Sequence, residues 1–226
     1  MQANGRCAAA HHKKRILIVD DHPLLRKGLA TVINQSPDLF VEGEAEDAKK
    51  ALDLIEKKRP DLIIVDISLP GIDGVELLGM IKQRFGEVPA LVVSMHDEGL
   101  FAERVLRAGA RGYIMKQEAL ENVLVAIRKV LAGEIFISGN IATKIIEKLV
   151  EVDPEKSSSP LALLSNREFT VFNLIGQGYQ TSAIAEKLHV SAKTVESYRS
   201  HIKEKLKLSN AKELMKYAVL WVQNNG

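Results

Sequence analysis

Five short apolar runs, four of them stopped at the carboxyl end by a residue with chemistry to offer, limit the folds open to this chain more than any other feature. Arg15–Val19 runs into Asp20-Asp21, Leu62–Val65 into Asp66, Ala90–Val93 into Ser94 and Gly112–Met115 into Lys116; Phe40–Glu44 is the fifth run. Each is too short for a helix that packs, and as far as about Ala132 they alternate with longer segments of helical period. That alternation predicts a doubly wound parallel sheet with helices on both faces. In the second helical segment Ala48, Ala51, Leu52 and Ile55 fall at i, i+3, i+4 and i+7, while Glu46, Lys49, Lys50 and Lys57 take the other side. Pro23 near the start of the first helix sits where a missing N–H costs nothing, and Gly71, Gly74, Gly86, Gly109 and Gly112 mark turns.

In an open five-stranded sheet of order 2-1-3-4-5, the carboxyl ends of strands 1, 3, 4 and 5 are neighbours, and ligands bind at that rim. Asp20, Asp21, Asp66, Ser94 and Lys116 are therefore expected at one site. Carboxylates packed together repel one another unless a cation sits among them, and an all-oxygen pocket suits Mg²⁺. A carboxylate such as Asp66 can act as nucleophile toward a phosphoryl group, with Lys116 and Ser94 stabilising charge on its oxygens.

The residues Asp20-Asp21, the run Val65-Asp66-Ile67-Ser68-Leu69-Pro70-Gly71-Ile72-Asp73-Gly74, Ser94 and Gly112-Tyr113-Ile114-Met115-Lys116 resemble the receiver domain of two-component response regulators. The resemblance implies a flavodoxin-like receiver over 14–132 with Asp66 as phosphoacceptor. It implies Asp20 or Asp21, Asp66 and the backbone carbonyl of Ser68 as Mg²⁺ ligands, and Ser94 with Tyr113 as a coupled switch pair. It further implies a sensor histidine kinase as phosphodonor, and no enzyme activity beyond the receiver's own Mg²⁺-dependent phosphorylation and dephosphorylation. Met95 departs from the small residue common in receivers after the hydroxyl position. A dehalogenase-like phosphatase would need a second Asp two residues beyond its nucleophile, where this chain has Ser68.

Residues 1–13 read as a disordered leader without a signal-peptide apolar core. Its Cys7 is the only cysteine, which suits a reducing cytoplasm, and His11-His12 is an adventitious pair. No apolar run approaches the roughly 18 residues of a membrane span. Over 133–160 an apolar segment Ile135–Ile137 and a helix around Asn140–Val150 lead into a Pro- and Ser-rich linker. The 31 basic and 29 acidic residues nearly cancel. The remainder, 161–226, is nevertheless basic, with nine Lys/Arg against five Glu.

That remainder predicts a small all-α domain of four helices. Ser165-Asn-Arg-Glu168 opens the first as a capping box, and Gly176 and Gly178 close it. Thr181–Leu188 is the supporting helix and His189-Val190 the turn. The third helix, capped by Ser191, puts Val195, Tyr198, Ile202 and Leu206 on one face and Lys193, Glu196, Ser197, Arg199, Ser200 and Lys203 on the other, the arrangement of a helix-turn-helix. Leu214, Tyr217, Ala218 and Trp221 give the last helix a stripe for the core and a dimer contact.

Leu164-Ser-Asn-Arg-Glu168, Ile175-Gly-Gln-Gly178, Ile184-Ala-Glu-Lys-Leu188 and Val190-Ser-Ala-Lys-Thr-Val-Glu-Ser-Tyr-Arg199 resemble LuxR-type DNA-binding domains, and with a receiver the pair is similar to the NarL/FixJ group. The similarity implies double-stranded DNA contacts from Lys193, Thr194, Glu196, Ser197, Arg199 and Lys203, with Glu196 as the base-reading candidate. A homodimer when active and an inverted-repeat target follow from symmetry. The unphosphorylated receiver is expected to mask the recognition helix or the dimer surface. The competing reading is a protein-docking module whose helical domain only dimerises.

Overall fold

The computed structural model describes residues 13–150 and 160–225. The expected leader, apart from Lys13, and linker residues 151–159 lie outside the described residues.

The first unit alternates β1 (Lys14–Val19), α1 (Pro23–Asn34), β2 (Leu39–Ala45), α2 (Ala48–Lys58), β3 (Leu62–Val65), α3 (Gly74–Phe85), β4 (Ala90–Ser94), α4 (Glu98–Ala108), β5 (Gly112–Met115) and α5 (Ala119–Leu131). The five strands are all parallel in the order β2-β1-β3-β4-β5, as expected. The chain first adds β2 on one side of β1, then β3 on the other, so a crevice opens at the carboxyl ends of β1 and β3.

Strand alternation divides the core into two layers. Leu17, Val19, Ile63, Val65 and Val92 pack under α2, α3 and α4. Ile16, Ile18, Ile64, Leu91 and Val93 pack under α1 and α5. β3 is buried along its whole length, which is why its sequence is an unbroken LIIV rather than an alternating run. The α2 stripe Ala48, Ala51, Leu52 and Ile55 is the buried face of that helix. The segment expected as apolar over Ile135–Ile137 lies beside the sheet edge, where Tyr113 N–H donates to Phe136 O at 2.8 Å.

After α6 (Gly139–Val150) and a 3-10 turn (Pro160–Leu163) the second unit is helical: α7 (Asn166–Gly176), α8 (Thr181–Lys187), α9 (Ala192–Lys205) and α10 (Ala211–Asn225). Ser165 and Glu168 close the reciprocal capping box on α7. Glu168 does more than cap, because Lys205 on α9 donates to its Oε2 at 2.7 Å. Burial alone would raise its carboxyl, yet the bonds from Lys205 and from Ser165 outweigh burial and hold it below the ordinary range. Such a depressed carboxylate stabilises the fold fully above its unfolded value, near pH 4.5, and progressively less as pH falls through the folded one. Glu168→Gln is expected to cost about 1–3 kcal/mol at pH 7 and to flatten the acid limb. Urea unfolding at pH 7 and pH 4, followed through the sole tryptophan, Trp221, checks both.

The turn from α8 to α9 is a Schellman motif: His189 N–H donates to Glu186 O at 3.2 Å and Val190 N–H to Ala185 O at 3.0 Å. His189 accordingly takes the left-handed conformation, φ 52°.

Candidate functional site

The rim of the receiver sheet gathers the expected residues. Asp20 follows β1, Asp66 follows β3, Ser94 ends β4 and Lys116 follows β5. Lys116 Nζ lies 2.7 Å from Asp20 Oδ2 and 2.7 Å from Asp66 Oδ2, and all three side chains are buried. Burial works against the Lys116 ammonium, but the two carboxylates overcome it and raise its pKa, so it stays charged. Burial pushes the Asp66 carboxyl up while Lys116 opposes that.

Asp66 Oδ1 is buried and accepts no hydrogen bond. Asp21 is half-buried; its Oδ1 lies 2.6 Å from His22 Nδ1, without the alignment of a hydrogen bond. Ligand atoms of Asp20, Asp21, His22 and Asp66 all fall within 4.8 Å of one another. A cluster of hard oxygens, two of them buried without a hydrogen bond, fits a divalent cation such as Mg²⁺. His22 was not among the residues expected here, although it directly follows the acidic pair; its N–H also donates to Asp20 Oδ1 at 2.7 Å.

Gly74 brings the start of α3 against the end of β3, its N–H donating to Ile67 O at 2.9 Å. Asp73 caps that helix by accepting from Val75 and Glu76 N–H, both at 2.9 Å. The Ser68 backbone N–H joins Lys116 in opposing the upward push of burial on the Asp66 carboxyl.

Ser94 is fully buried, and its Oγ accepts from His96 N–H at 3.2 Å. Tyr113 is also buried, and its hydroxyl donates to His96 O at 2.7 Å. Burial raises the Tyr113 pKa, so the phenol remains a donor. His96 Nε2 lies 3.0 Å from Ser68 Oγ, and burial lowers its pKa to about 4, leaving the ring neutral. Sequence reasoning passed over His96 because its partner is 28 residues away. Met95 points outward, 58% exposed, and does not fill the pocket.

In the helical unit Ser191 caps α9, accepting from Thr194 N–H at 3.0 Å, while Val195 and Ile202 are buried beneath it. Lys193, Glu196 and Ser197 are exposed, and Thr194, Arg199 and Lys203 are half-exposed on the same helix. Glu196 Oε1 accepts from Thr181 Oγ1 at 2.8 Å, and Arg199 Nε lies 3.7 Å from it. The expected base reader is thus tied to the supporting helix α8.

A phosphoacceptor-type acidic rim on a 2-1-3-4-5 sheet, followed by a helix-turn-helix, defines a two-domain response regulator. Residues 16–128 match the family described as response regulator receiver domain, and residues 162–218 match bacterial regulatory proteins of the luxR family. The chain is 36% identical over 209 residues to the oxygen regulatory protein NreC of Staphylococcus haemolyticus, covering 91% of this chain and 96% of that protein. NreC of Staphylococcus aureus matches at the same identity and coverage. A LuxR-family response regulator from Aurantimonas is 37% identical with a TM-score of 0.57, covering 62% of this chain and all of the other. Salmonella enterica RcsB bound to promoter rprA with the phosphomimetic BeF3- is 26% identical with a TM-score of 0.58, covering 92% of this chain and 99% of that one. The chain belongs to the two-component response regulators of the NarL/FixJ group, with a receiver and a LuxR-type DNA-binding domain.

Proposed function

We propose that this transcription regulator is switched by phosphorylation of Asp66, and that the phosphoryl group comes from a histidine on a sensor kinase. A carboxylate oxygen of Asp66 attacks phosphorus, the P–N bond to the kinase histidine breaks, and the released imidazole keeps the electron pair and takes up a proton. The observation that carries this reading is the asymmetry of Asp66: Oδ2 is anchored on Lys116 at 2.7 Å, while Oδ1 is buried without a partner. Lys116 sits where it can follow the charge from the carboxylate to the phosphoryl oxygens, and Ser94 contributes a hydroxyl donor. Asp20, Asp21, Asp66 and the Ser68 carbonyl would hold Mg²⁺, which neutralises phosphoryl charge when bound. The chain turns over no other substrate; it supports only its own phosphorylation and dephosphorylation.

The output is DNA binding as a homodimer on an inverted repeat, through Lys193, Thr194, Glu196, Ser197, Arg199 and Lys203. The relatedness to RcsB, whose dimers are described bound to DNA, supports it. Among the described residues no helix is long and apolar enough to cross a membrane, and a DNA target places the protein's work in the cytoplasm. Incubation of the full chain with Mg²⁺ and labelled acetyl phosphate tests the assignment. Label is expected on the native chain and none on Asp66→Asn; equal labelling of both overturns it.

A further inference from the structure

We propose that the His22 imidazole is a ligand at the acidic rim, and that its nitrogen makes the rim a site for a transition-metal dication of the Zn²⁺ class in competition with Mg²⁺. The inference rests on the reading that the rim holds a divalent cation, and it names the donor that selects which one.

His22 stands at the N-cap of α1, where a Ser, Thr, Asp or Asn side chain would bond the free N–H groups of the first turn. Its side chain makes no such bond. The ring is turned back onto the carboxylates that precede it, with Nδ1 3.1 Å from Asp20 Oδ1 and 2.6 Å from Asp21 Oδ1. The closer approach lacks the alignment of a hydrogen bond, and Asp21 Oδ1 is buried without a hydrogen-bond partner.

Lys116 shows which form of the ring faces the cluster. Its ammonium can only donate, and Nζ lies 3.3 Å from His22 Nδ1, 2.7 Å from Asp20 Oδ2 and 2.7 Å from Asp66 Oδ2. The nitrogen is therefore an acceptor, and its lone pair converges with two carboxylates on one positive charge. In that tautomer the carboxylate oxygens beside Nδ1 face a lone pair and no proton, a crowding that a further cation among them relieves.

A separate observation shows that the cluster is not satisfied by Lys116 alone. Asp66 Oδ1, on a side chain 0% exposed, accepts no hydrogen bond. One ligand atom from each of Asp20, Asp21, His22 and Asp66 lies within 4.8 Å of the others. Neighbouring ligands in an octahedral shell with bonds of about 2.1 Å stand about 3 Å apart, and opposite ones about 4.2 Å. Small side-chain rotations bring the four donors into one such shell.

Nitrogen decides the kind of ion. Mg²⁺ is held by oxygen ligands and retained water, and phosphoryl chemistry at Asp66 calls for nothing softer. Imidazole beside carboxylates suits Zn²⁺, Ni²⁺ and Co²⁺, and strengthens their binding without strengthening that of Mg²⁺. The His22 side chain is 52% exposed, so an ion from solvent reaches it without opening the fold. Asp20, Asp21 and Asp66 serve both classes of cation, which therefore exclude each other.

The test is titration of the full chain with Co²⁺, read from its visible d–d absorption, and with Mg²⁺ by calorimetry, each alone and against the other. All chains carry His11→Ala and His12→Ala, which removes the adjacent leader histidines as rival ligands. This parent chain is expected to bind Co²⁺ more tightly than Mg²⁺, and Mg²⁺ in excess should displace it. His22→Ala should lose about ten- to a hundredfold in Co²⁺ affinity, with a shifted absorption band, and keep its Mg²⁺ affinity within about threefold. His22→Asn supplies a preferred N-cap and an oxygen donor, so it should fold at least as well and still lose Co²⁺. If the parent binds neither ion, the reading of the rim as a cation site fails and takes the inference with it. If Mg²⁺ binds but does not displace Co²⁺, or if both His22 variants keep Co²⁺ or lose the two ions alike, His22 selects nothing. The inference is then overturned while the Mg²⁺ site stands.

Discussion

Gly74→Ala is expected to destabilise the receiver by about 2–4 kcal/mol and to weaken Mg²⁺ binding, although it adds only one methyl group. A Cβ at this position would stand 2.0 Å from Asp66 O, 2.8 Å from Asp66 C and 2.9 Å from Ile67 Cα. All three are backbone atoms of the segment that presents Asp66, so no side chain can swing aside. Relief has to come from moving α3 away from β3, which breaks the Gly74 N–H bond to Ile67 O, or from moving Asp66 itself. Gly79, also in α3, has nothing within 4 Å of its own built Cβ. Gly79→Ala should therefore stabilise the same helix by about 0.5–1 kcal/mol. Thermal unfolding of the two variants, with a Mg²⁺ titration of each, separates close approach from helix propensity. Equal melting of Gly74→Ala and the native chain would show that the α3 start is not held against the strand.

The acidic rim was legible because it breaks a pattern. Asp20, Asp66, Ser94 and Lys116 each end an apolar run, and a parallel sheet converts the ends of separate runs into neighbours. The capping box of α7 and the buried stripe of α2 were legible for a related reason, since both are periodic within a few residues. What stayed hidden has no local period. Arg104 reads as a solvated charge on a helix until its partners, 57 to 62 residues further on, are folded against it. His96 and Ser68 likewise meet only when two strand-end loops are brought together. Glu196 reads as a free carboxylate on a DNA-facing helix, and only the packing of α8 on α9 supplies Thr181 as its donor. Spacing along the chain thus reports strands, helices and the rim they build, whereas the contacts that join one domain to the other are made by tertiary structure alone.

Replacing Lys116 by Met should convert the acidic site at the sheet rim from a self-neutralised cluster into one that depends on added cation. In the native chain one ammonium bridges Asp20 and Asp66, whose side chains are 3% and 0% exposed. Removing one partner of a buried ionic cluster costs about 3–5 kcal/mol, because the charges left behind can neither hydrate nor pair. Met keeps most of the volume of the lysine stem, so cavity formation adds little and the loss is electrostatic. The cost has one ready remedy, a divalent cation among the carboxylates, and the variant should recover most of its stability when one is supplied. The thermal midpoint of Lys116→Met is therefore expected well below that of the native chain in chelator, with a Mg²⁺-induced rise several times larger. Labelling by acetyl phosphate should nevertheless remain poor in saturating Mg²⁺, since the ammonium that follows charge onto the phosphoryl oxygens is gone. A variant whose midpoint responds to Mg²⁺ no more than the native chain would mean that the carboxylates do not depend on Lys116 for compensation. Loss of stability that Mg²⁺ repairs, joined to loss of labelling that it does not, would separate the two tasks proposed for this lysine: holding the cluster together before reaction and stabilising charge during it.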